Sequence, residues 1–178
     1  MRRKVGNAVL NADRVFARDE KGLPKVRRDA DGHEIELHDY KNPTRPEWEP
    51  AEFIVGNPPF IGGKDLRARL GDEQVEALWR AYPEMNDSAD FVMYWWDQAA
   101  RILTASKSIL RRFGFVTTNS MTQVFQRRVT ERYLSAKSPL SLVMAIADHP
   151  WTKATSDAAA GRIAMTVAEA DTHEGGAA

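Results

Sequence analysis

The stretch Phe53-Ile-Val-Gly-Asn-Pro-Pro-Phe60 places the strongest local constraint on how this chain folds. Proline has a fixed φ and no backbone N–H, so a hydrogen-bonded strand cannot continue through two consecutive prolines. The apolar residues 53–55 are therefore predicted to form a short buried strand that stops at Gly56. A rigid loop is expected to follow, from Asn57 to Phe60.

Chain length, the lack of cysteine and the lack of long apolar runs indicate a soluble protein with one domain of ordinary size. The chain has 178 residues, enough to bury a core without cross-links, and one domain is expected. It has no cysteine, which excludes disulfides and cysteine metal sites. No apolar run reaches the roughly 18 residues of a membrane span, and the N-terminus lacks the apolar core of a signal peptide. A cytoplasmic location is expected.

The charge is balanced overall but uneven along the chain. The formal net charge is zero, with 25 basic and 25 acidic residues, which is a weak electrostatic signal for a protein that must hold DNA unaided. Between Arg101 and Lys137, however, eight Lys or Arg residues accompany a single acid, Glu131. This part of the chain is compatible with phosphate contacts, and also with ordinary solvated helix faces.

Two helices are predicted between the loop and residue 103. The first follows Gly71, with Asp72 as its cap and an apolar face from Val75 to Tyr82. The second begins after Asp87 or Ser88 and ends near Leu103. It is apolar on most sides, so it should be largely buried, with Asp97 and Arg101 paired at i, i+4.

Further strands are predicted at residues 115–118, after a turn at Gly114, and at residues 140–150 and 161–170. A third helix is expected from Met121 to about Lys137, capped by Asn119 or Ser120. Its inward-facing residues are predicted to be Val124, Phe125, Val129 and Tyr133.

This alternation of strands and helices favours parallel βαβ units and a doubly wound, mostly parallel sheet in residues 53–170. Residues 9–16 could hold a short strand, but residues 17–52 are dense in charge, proline and glycine, so residues 1–52 are predicted to be an irregular charged segment. Residues 171–178 are expected to be a disordered tail. A long loop inside a compact domain is uncommon and indicates function, disorder or a missing neighbour.

The loop at residues 57–60 lies where open α/β sheets bind ligands, beyond the carboxyl end of a strand. An amine on an aromatic ring has a delocalised lone pair, which must leave conjugation before it attacks a methyl sulfonium. The Asn57 side-chain oxygen and the Pro58 carbonyl would accept both N–H groups and so direct that lone pair. Phe60 would stack on a base swung out of the duplex, a contact worth about 1 to 3 kcal/mol. A plain strand-ending proline turn is the alternative.

The residues Asn57-Pro58-Pro59-Phe60 resemble the catalytic NPPF motif of adenine-specific DNA methyltransferases that use S-adenosylmethionine. The stretches SADFVMYWWDQAARIL and RRFGFVTTNS, at residues 88–103 and 111–120, resemble the helix and strand that follow this motif in the family. Residues 53 to about 167 are most similar to the MmeI-like group of large restriction-modification polypeptides.

The resemblance implies a partial Rossmann-like class I methyltransferase fold and base flipping of an adenine in double-stranded DNA. It also implies that Asn57, Pro58, Pro59 and Phe60 are catalytic, and that Asp90 and Phe91 lie near the adenosyl end of S-adenosylmethionine. No metal site is expected.

Four further side chains are candidates for DNA contact because of their positions near strand ends. Thr118 and Asn119 end their strand on the same side as Asn57, although capping the next helix is the simpler role. Arg127 and Arg128 lie on that helix within reach of a phosphate.

The sequence departs from the family pattern before Phe53, where no G-x-G cofactor loop precedes the motif. No domain that would read the target sequence follows Val167. The chain is therefore expected to be the second half of a catalytic domain, with the missing N-terminal half and a target-recognition domain as its partners. The alternatives are a non-catalytic remnant with a weak DNA or partner surface, and a methyltransferase acting on a protein glutamine amide, where the motif ring is usually tyrosine.

Overall fold

The computed structural model describes residues 3–28, 31–85, 87–150 and 162–170. The chain divides into two compact units, one made of residues 1–48 and 65–85 and the other of residues 49–64 and 86–178. Each unit is therefore built from two segments that alternate along the chain. The predicted tail at 171–178 lies outside the described residues.

The first unit contains five short strands in the segment expected to be irregular. Strands β1 (Arg3–Gly6), β2 (Asn11–Phe16) and β5 (His38–Thr44) form an antiparallel sheet in the order β1-β2-β5. Strands β3 (Val26–Arg28) and β4 (Glu34–Glu36) pair as a separate antiparallel ribbon. The expectation of irregular structure is wrong because β3 and β4 are exposed throughout and β5 largely so, and such strands carry no apolar alternation.

Two helices complete the first unit, α1 (Leu66–Leu70) and α2 (Asp72–Ala81). The predicted apolar face of α2 is confirmed, since Val75 and Leu78 are buried. Helix α2 packs against β5, and Arg80 donates a hydrogen bond of 2.9 Å to the Tyr40 carbonyl. The helix begins after Gly71, whose φ of 87° suits glycine, and Asp72 makes no side-chain cap.

The second unit is built on a mixed sheet of four strands in the order β6-β7-β9-β8. These strands are β6 (Phe53–Gly56), β7 (Arg112–Thr118), β8 (Leu140–Pro150) and β9 (Arg162–Ala170). Only β6 and β7 pair in parallel, whereas β9 is antiparallel to both of its neighbours. The expected mostly parallel sheet is therefore wrong for the described strands. The segment between β8 and β9 is too short for the crossover that parallel pairing requires.

One face of this sheet is covered by α3 (Val92–Leu103). The indole of Trp96 meets the ring of Phe113 edge to face, with centroids 5.3 Å apart, and both side chains are buried. The prediction that this helix is largely buried is confirmed. A further helix, α4 (Val124–Leu134), packs against α3.

Several local expectations in this unit are wrong. Gly114 lies within β7 rather than in a turn, and a Cβ there would be 3.1 Å from Cγ2 of Val167. The Asp97 carboxylate accepts from Arg132 at 3.2 Å, while Arg101, its predicted partner, donates to Gln98 at 3.3 Å. The tertiary partner is favoured because Asp97 is fully buried and needs a donor from another helix.

Helix α4 starts later than predicted, and its predicted inward face is confirmed at Val129 and Tyr133 but not at its first two residues. A 3-10 turn covers Asn119–Thr122, and α4 begins after Gln123 without a side-chain cap. Val124 and Phe125, in the first turn of α4, are exposed rather than inward. The buried residues of α4 are Gln126, Val129 and Thr130.

The sheet face opposite α3 is apolar and exposed. Val55, expected to be buried, is 87% exposed, and Phe53 is 55% exposed, since both lie on the sheet face opposite α3. Among the described strands, β6 is also an edge strand. The register places these residues beside others that line a shallow groove, namely Val116, Met144, Met165 and Val167. We call this surface the open sheet face. Among the described residues, no helix is long and apolar enough to cross a bilayer.

Candidate active site

The Asn57-Pro58-Pro59-Phe60 loop begins directly after Gly56, where β6 ends. Because β6 and β7 are parallel, their carboxyl ends lie on the same side of the sheet, so the loop lies near the end of β7 at Thr118. The predicted strand and its end are thus confirmed, although the strand is exposed. Within the loop, Pro58 is buried and its neighbours are exposed.

The loop contains two hydrogen-bond acceptors and a partly exposed aromatic ring. No described residue donates a hydrogen bond to the Asn57 side chain or to the Pro58 carbonyl, and the Asn57 side chain is exposed. Phe60 is 42% exposed. Amide and carbonyl oxygens are neither nucleophiles nor general bases at neutral pH, so the arrangement is suited to binding and orienting an N–H donor.

The far end of the loop is held by the segment that precedes α3. The carboxylate of Asp90 accepts a hydrogen bond of 2.9 Å from the Gly63 amide. The amide of Phe91 donates to the Ile61 carbonyl at 2.8 Å. Gly63 lies so close to this segment that a Cβ on it would be 2.4 Å from the Ser88 carbonyl oxygen, which only glycine tolerates.

Asp90 also joins this segment to the rest of the site. Its Oδ2 accepts from the hydroxyls of Thr118, at 3.3 Å, and Ser120. Its own amide donates to the Gln126 side chain of α4 at 2.9 Å. Asp90 is 8% exposed, so the loop and the end of β7 meet at its buried carboxylate, while α4 binds its backbone amide.

These contacts bear on the expected cofactor role of Asp90 and Phe91. Both carboxylate oxygens of Asp90 already accept from protein groups. Phe91 is 5% exposed and packs edge to face on Trp95, with ring centroids 4.7 Å apart. Both side chains are buried and are held by contacts within the protein, and their expected position near the adenosyl group stays a prediction.

The two polar candidates for DNA contact have partners within the protein. Thr118 binds Asp90, and Asn119 donates to Asp148 at 3.0 Å. Asp148 also pairs with Arg162, and this hydrogen bond raises the pKa of the Arg162 guanidinium above its usual value. Both candidates are half-buried, so the structure gives each a role in joining strand ends.

The two arginine candidates lie on the outer side of α4. Arg127 pairs with Glu131 at 2.9 Å, one turn along the helix. The Arg128 guanidinium lies 5.7 Å from the centroid of the Phe125 ring. Both arginines are exposed, and none of the described contacts joins either of them to the loop.

Sequence reasoning missed Gly63, Ser120 and Gln126, which hold the loop through Asp90. A signal for Gly63 was present, since a glycine pair follows the motif one residue later and indicates close backbone approach. Ser120 carried a capping signal, but its hydroxyl serves a tertiary contact instead.

Comparison with known proteins gives two matches. The family model described as MmeI, DNA-methyltransferase domain, matches residues 16–174. A solved structure of the Type IIL restriction-modification enzyme MmeI in complex with DNA is similar to this chain, with 28% sequence identity and a TM-score of 0.51. That match covers 66% of this chain and 15% of the MmeI chain. A comparison with curated proteins found no match.

Proposed function

This chain belongs to the family of MmeI DNA-methyltransferase domains, and from that premise we propose that it is part of an adenine-specific methyltransferase of a restriction-modification enzyme. The proposed reaction moves a methyl group from S-adenosylmethionine to the exocyclic amine of adenine in double-stranded DNA. The observation that carries the proposal is the pair of acceptors that no described residue engages, the exposed Asn57 side chain and the Pro58 carbonyl, at the end of β6.

In this proposal the loop orients the target amine. The Asn57 side-chain oxygen and the Pro58 carbonyl each accept one N–H of the adenine amine, which draws the nitrogen lone pair out of the ring's π system. Pro58 and Pro59 fix the backbone so that these oxygens do not reorganise during the reaction. Orientation of this kind lowers the barrier because the acceptors are in place before charge develops.

Phe60 supports a flipped base. Extrusion of a nucleotide costs a few kcal/mol, and stacking on an aromatic ring returns about 1 to 3 kcal/mol. With 42% of its surface exposed beside the acceptors, Phe60 has an open face for this contact. Arg127 and Arg128 are proposed to contact phosphates, and Thr118 and Asn119 to support the strand ends that face the DNA.

The double-stranded DNA partner is proposed from the similar structure, which is a complex of MmeI with DNA. The chain spans 15% of that protein, so a target-recognition domain is proposed to come from another part of the complete enzyme. We also propose that the complete sheet is a Rossmann-like class I methyltransferase fold.

The cofactor half of the domain is proposed to cover the open sheet face. Strand β6 has an unpaired outer edge among the described strands, and the apolar side chains of Phe53 and Val55 are exposed beside it. Exposed apolar surface of this kind marks an interface. Most of the residues that hold S-adenosylmethionine are proposed to lie in that half, with Asp90 and Phe91 buried near the adenosyl end.

The test is methylation of duplex DNA by the complete methyltransferase domain carrying Asn57→Ala. Loss of one preorganised acceptor is expected to lower kcat by about 100-fold or more. Asn11→Ala, which removes an exposed asparagine from β2, is the control and should retain activity. Near-normal methylation by the Asn57 variant would overturn the proposal.

A second measurement separates DNA from protein as the substrate. The wild-type domain should methylate duplex DNA and leave a glutamine-containing peptide unmodified. Phe60→Ala should weaken the fluorescence change of 2-aminopurine placed at the target base, because the flipped base loses its stacking partner. An unchanged signal would exclude Phe60 from base binding.

A further inference from the structure

We propose that Asp90 is a positioning residue, which acts through Gly63 to hold the Asn57–Phe60 loop in its reactive geometry. This inference rests on the proposed function, and it differs from the cofactor role that the family resemblance implied for Asp90. It follows from the hydrogen bonds around the carboxylate, from the close approach at Gly63 and from the burial of the cluster.

The first argument is that the loop is anchored at both ends. At its start, Gly56 belongs to β6 and pairs with β7. At its end, the Gly63 amide donates to Asp90 at 2.9 Å and the Ile61 carbonyl accepts from the Phe91 amide at 2.8 Å. The loop between these anchors contains two prolines, so fixing its ends leaves few backbone conformations.

The second argument concerns the strength of the anchor. A hydrogen bond from a backbone amide to a carboxylate is charge-assisted, and it is stronger than one between neutral groups. Asp90 is 8% exposed, which limits competition from water. The same carboxylate accepts from Thr118 and Ser120, so it also fixes the loop relative to the end of β7.

The third argument is the requirement for glycine. Any side chain at residue 63 would bring its Cβ to 2.4 Å from the Ser88 oxygen and 2.6 Å from the Ser88 carbonyl carbon. These are backbone atoms of the segment that carries Asp90, and they cannot rotate away. The close packing at Gly63 therefore holds the end of the loop against the same segment to which the Asp90 carboxylate binds it.

The kinetic test uses Asp90→Ala and Asp90→Asn in the complete methyltransferase domain. A displaced loop should lower kcat by about 10-fold to 100-fold in Asp90→Ala, with KM for DNA and for S-adenosylmethionine within about twofold of wild type. Asp90→Asn keeps an acceptor for the Gly63 amide and should recover part of kcat. Asp87→Asn removes an exposed carboxylate three residues earlier and should leave kcat and both KM values unchanged.

Two kinetic outcomes would overturn the proposal. A rise in KM for S-adenosylmethionine with an unchanged kcat would assign Asp90 to cofactor binding. Wild-type kcat in Asp90→Ala, together with a lower melting temperature, would leave it a purely structural role.

A second readout does not depend on activity. Hydrogen exchange on this chain should show the Gly63 amide exchanging about tenfold or more faster in Asp90→Ala, while amides of Ala99 and Ala100 in α3 keep their protection. Gly63→Ala should lower kcat in the same way with Asp90 intact. Unchanged exchange at Gly63 would contradict the anchor even if Asn57→Ala behaves as proposed, and an active Asn57→Ala enzyme would contradict only the proposed function.

Discussion

The Tyr133 hydroxyl donates a hydrogen bond of 2.8 Å to Oδ1 of Asp97, a fully buried carboxylate on α3. Arg132 reaches the same oxygen at 3.2 Å. Two consecutive residues of α4 thus donate to the same oxygen of one buried carboxylate on α3. Because a buried carboxylate is costly without donors, this junction fixes how the two helices pack.

Tyr133→Phe is expected to destabilise the second unit by about 1.5 to 3 kcal/mol, since it removes a hydrogen bond to a buried charged group. Urea unfolding followed by tryptophan fluorescence measures the effect. Tyr40→Phe is the control, because the Tyr40 hydroxyl lies 3.4 Å from Gln74 and is only half-buried. Equal stability losses in the two variants would contradict the importance of the Asp97 junction.

Gly114→Ala is expected to destabilise the protein by about 1 kcal/mol, because its Cβ would crowd Val167 Cγ2 at 3.1 Å. Val167→Ala removes that methyl group. The double variant should therefore lose less stability than the sum of the two single changes, with a coupling energy of about 0.5 kcal/mol or more. Additive losses would show that atoms other than Val167 Cγ2 move to accommodate the added Cβ.

Arg128→Gln is expected to weaken duplex DNA binding by the complete enzyme at all sequences, and to reduce the slope of log K against log salt by about 1. Arg111→Gln is the matched control. Arg111 lies just before the start of β7, at the opposite end of the strand from Thr118 and the loop, and pairs with Glu52 at 3.8 Å. A salt slope that stays unchanged in Arg128→Gln would remove this arginine from the phosphate contacts.

Met144→Asp tests the open sheet face. Met144 is 39% exposed in this chain, so the change should alter the stability of the 178-residue chain by about 0.5 kcal/mol or less. In the complete domain, where this face is proposed to be covered, the buried charge should lower the melting temperature markedly. Leu23→Asp, at a residue 59% exposed in the first unit, should have little effect in either protein. Equal behaviour of Met144→Asp in both proteins would contradict coverage of this face.

The elements with strong periodicity or strong breakers were predictable from the sequence. The proline pair correctly ended β6, and the apolar periods correctly gave α2 and α3. Strands β8 and β9 were also expected where they occur, although their antiparallel pairing was not. Local pattern identifies an element, whereas pairing direction depends on how the chain connects strands in space.

The remaining errors share a physical cause, which is that tertiary partners replaced local ones. Asp97 was expected to pair one turn away with Arg101, but its burial required donors from α4. Ser120 was expected to cap a helix, but its hydroxyl binds Asp90. Asp90 was expected near the cofactor, and its contact with Gly63 emerged only from the structure, since 27 residues separate the two in the chain.

The alternation of the chain between its two units has a consequence for synthesis on the ribosome. The first unit needs residues 65–85, which are translated after the Asn57–Phe60 loop. A nascent chain must therefore carry β6 and the loop out of the exit tunnel before that unit can complete its fold. A stop codon or cleavage between residues 60 and 65 would leave both units unfinished at once.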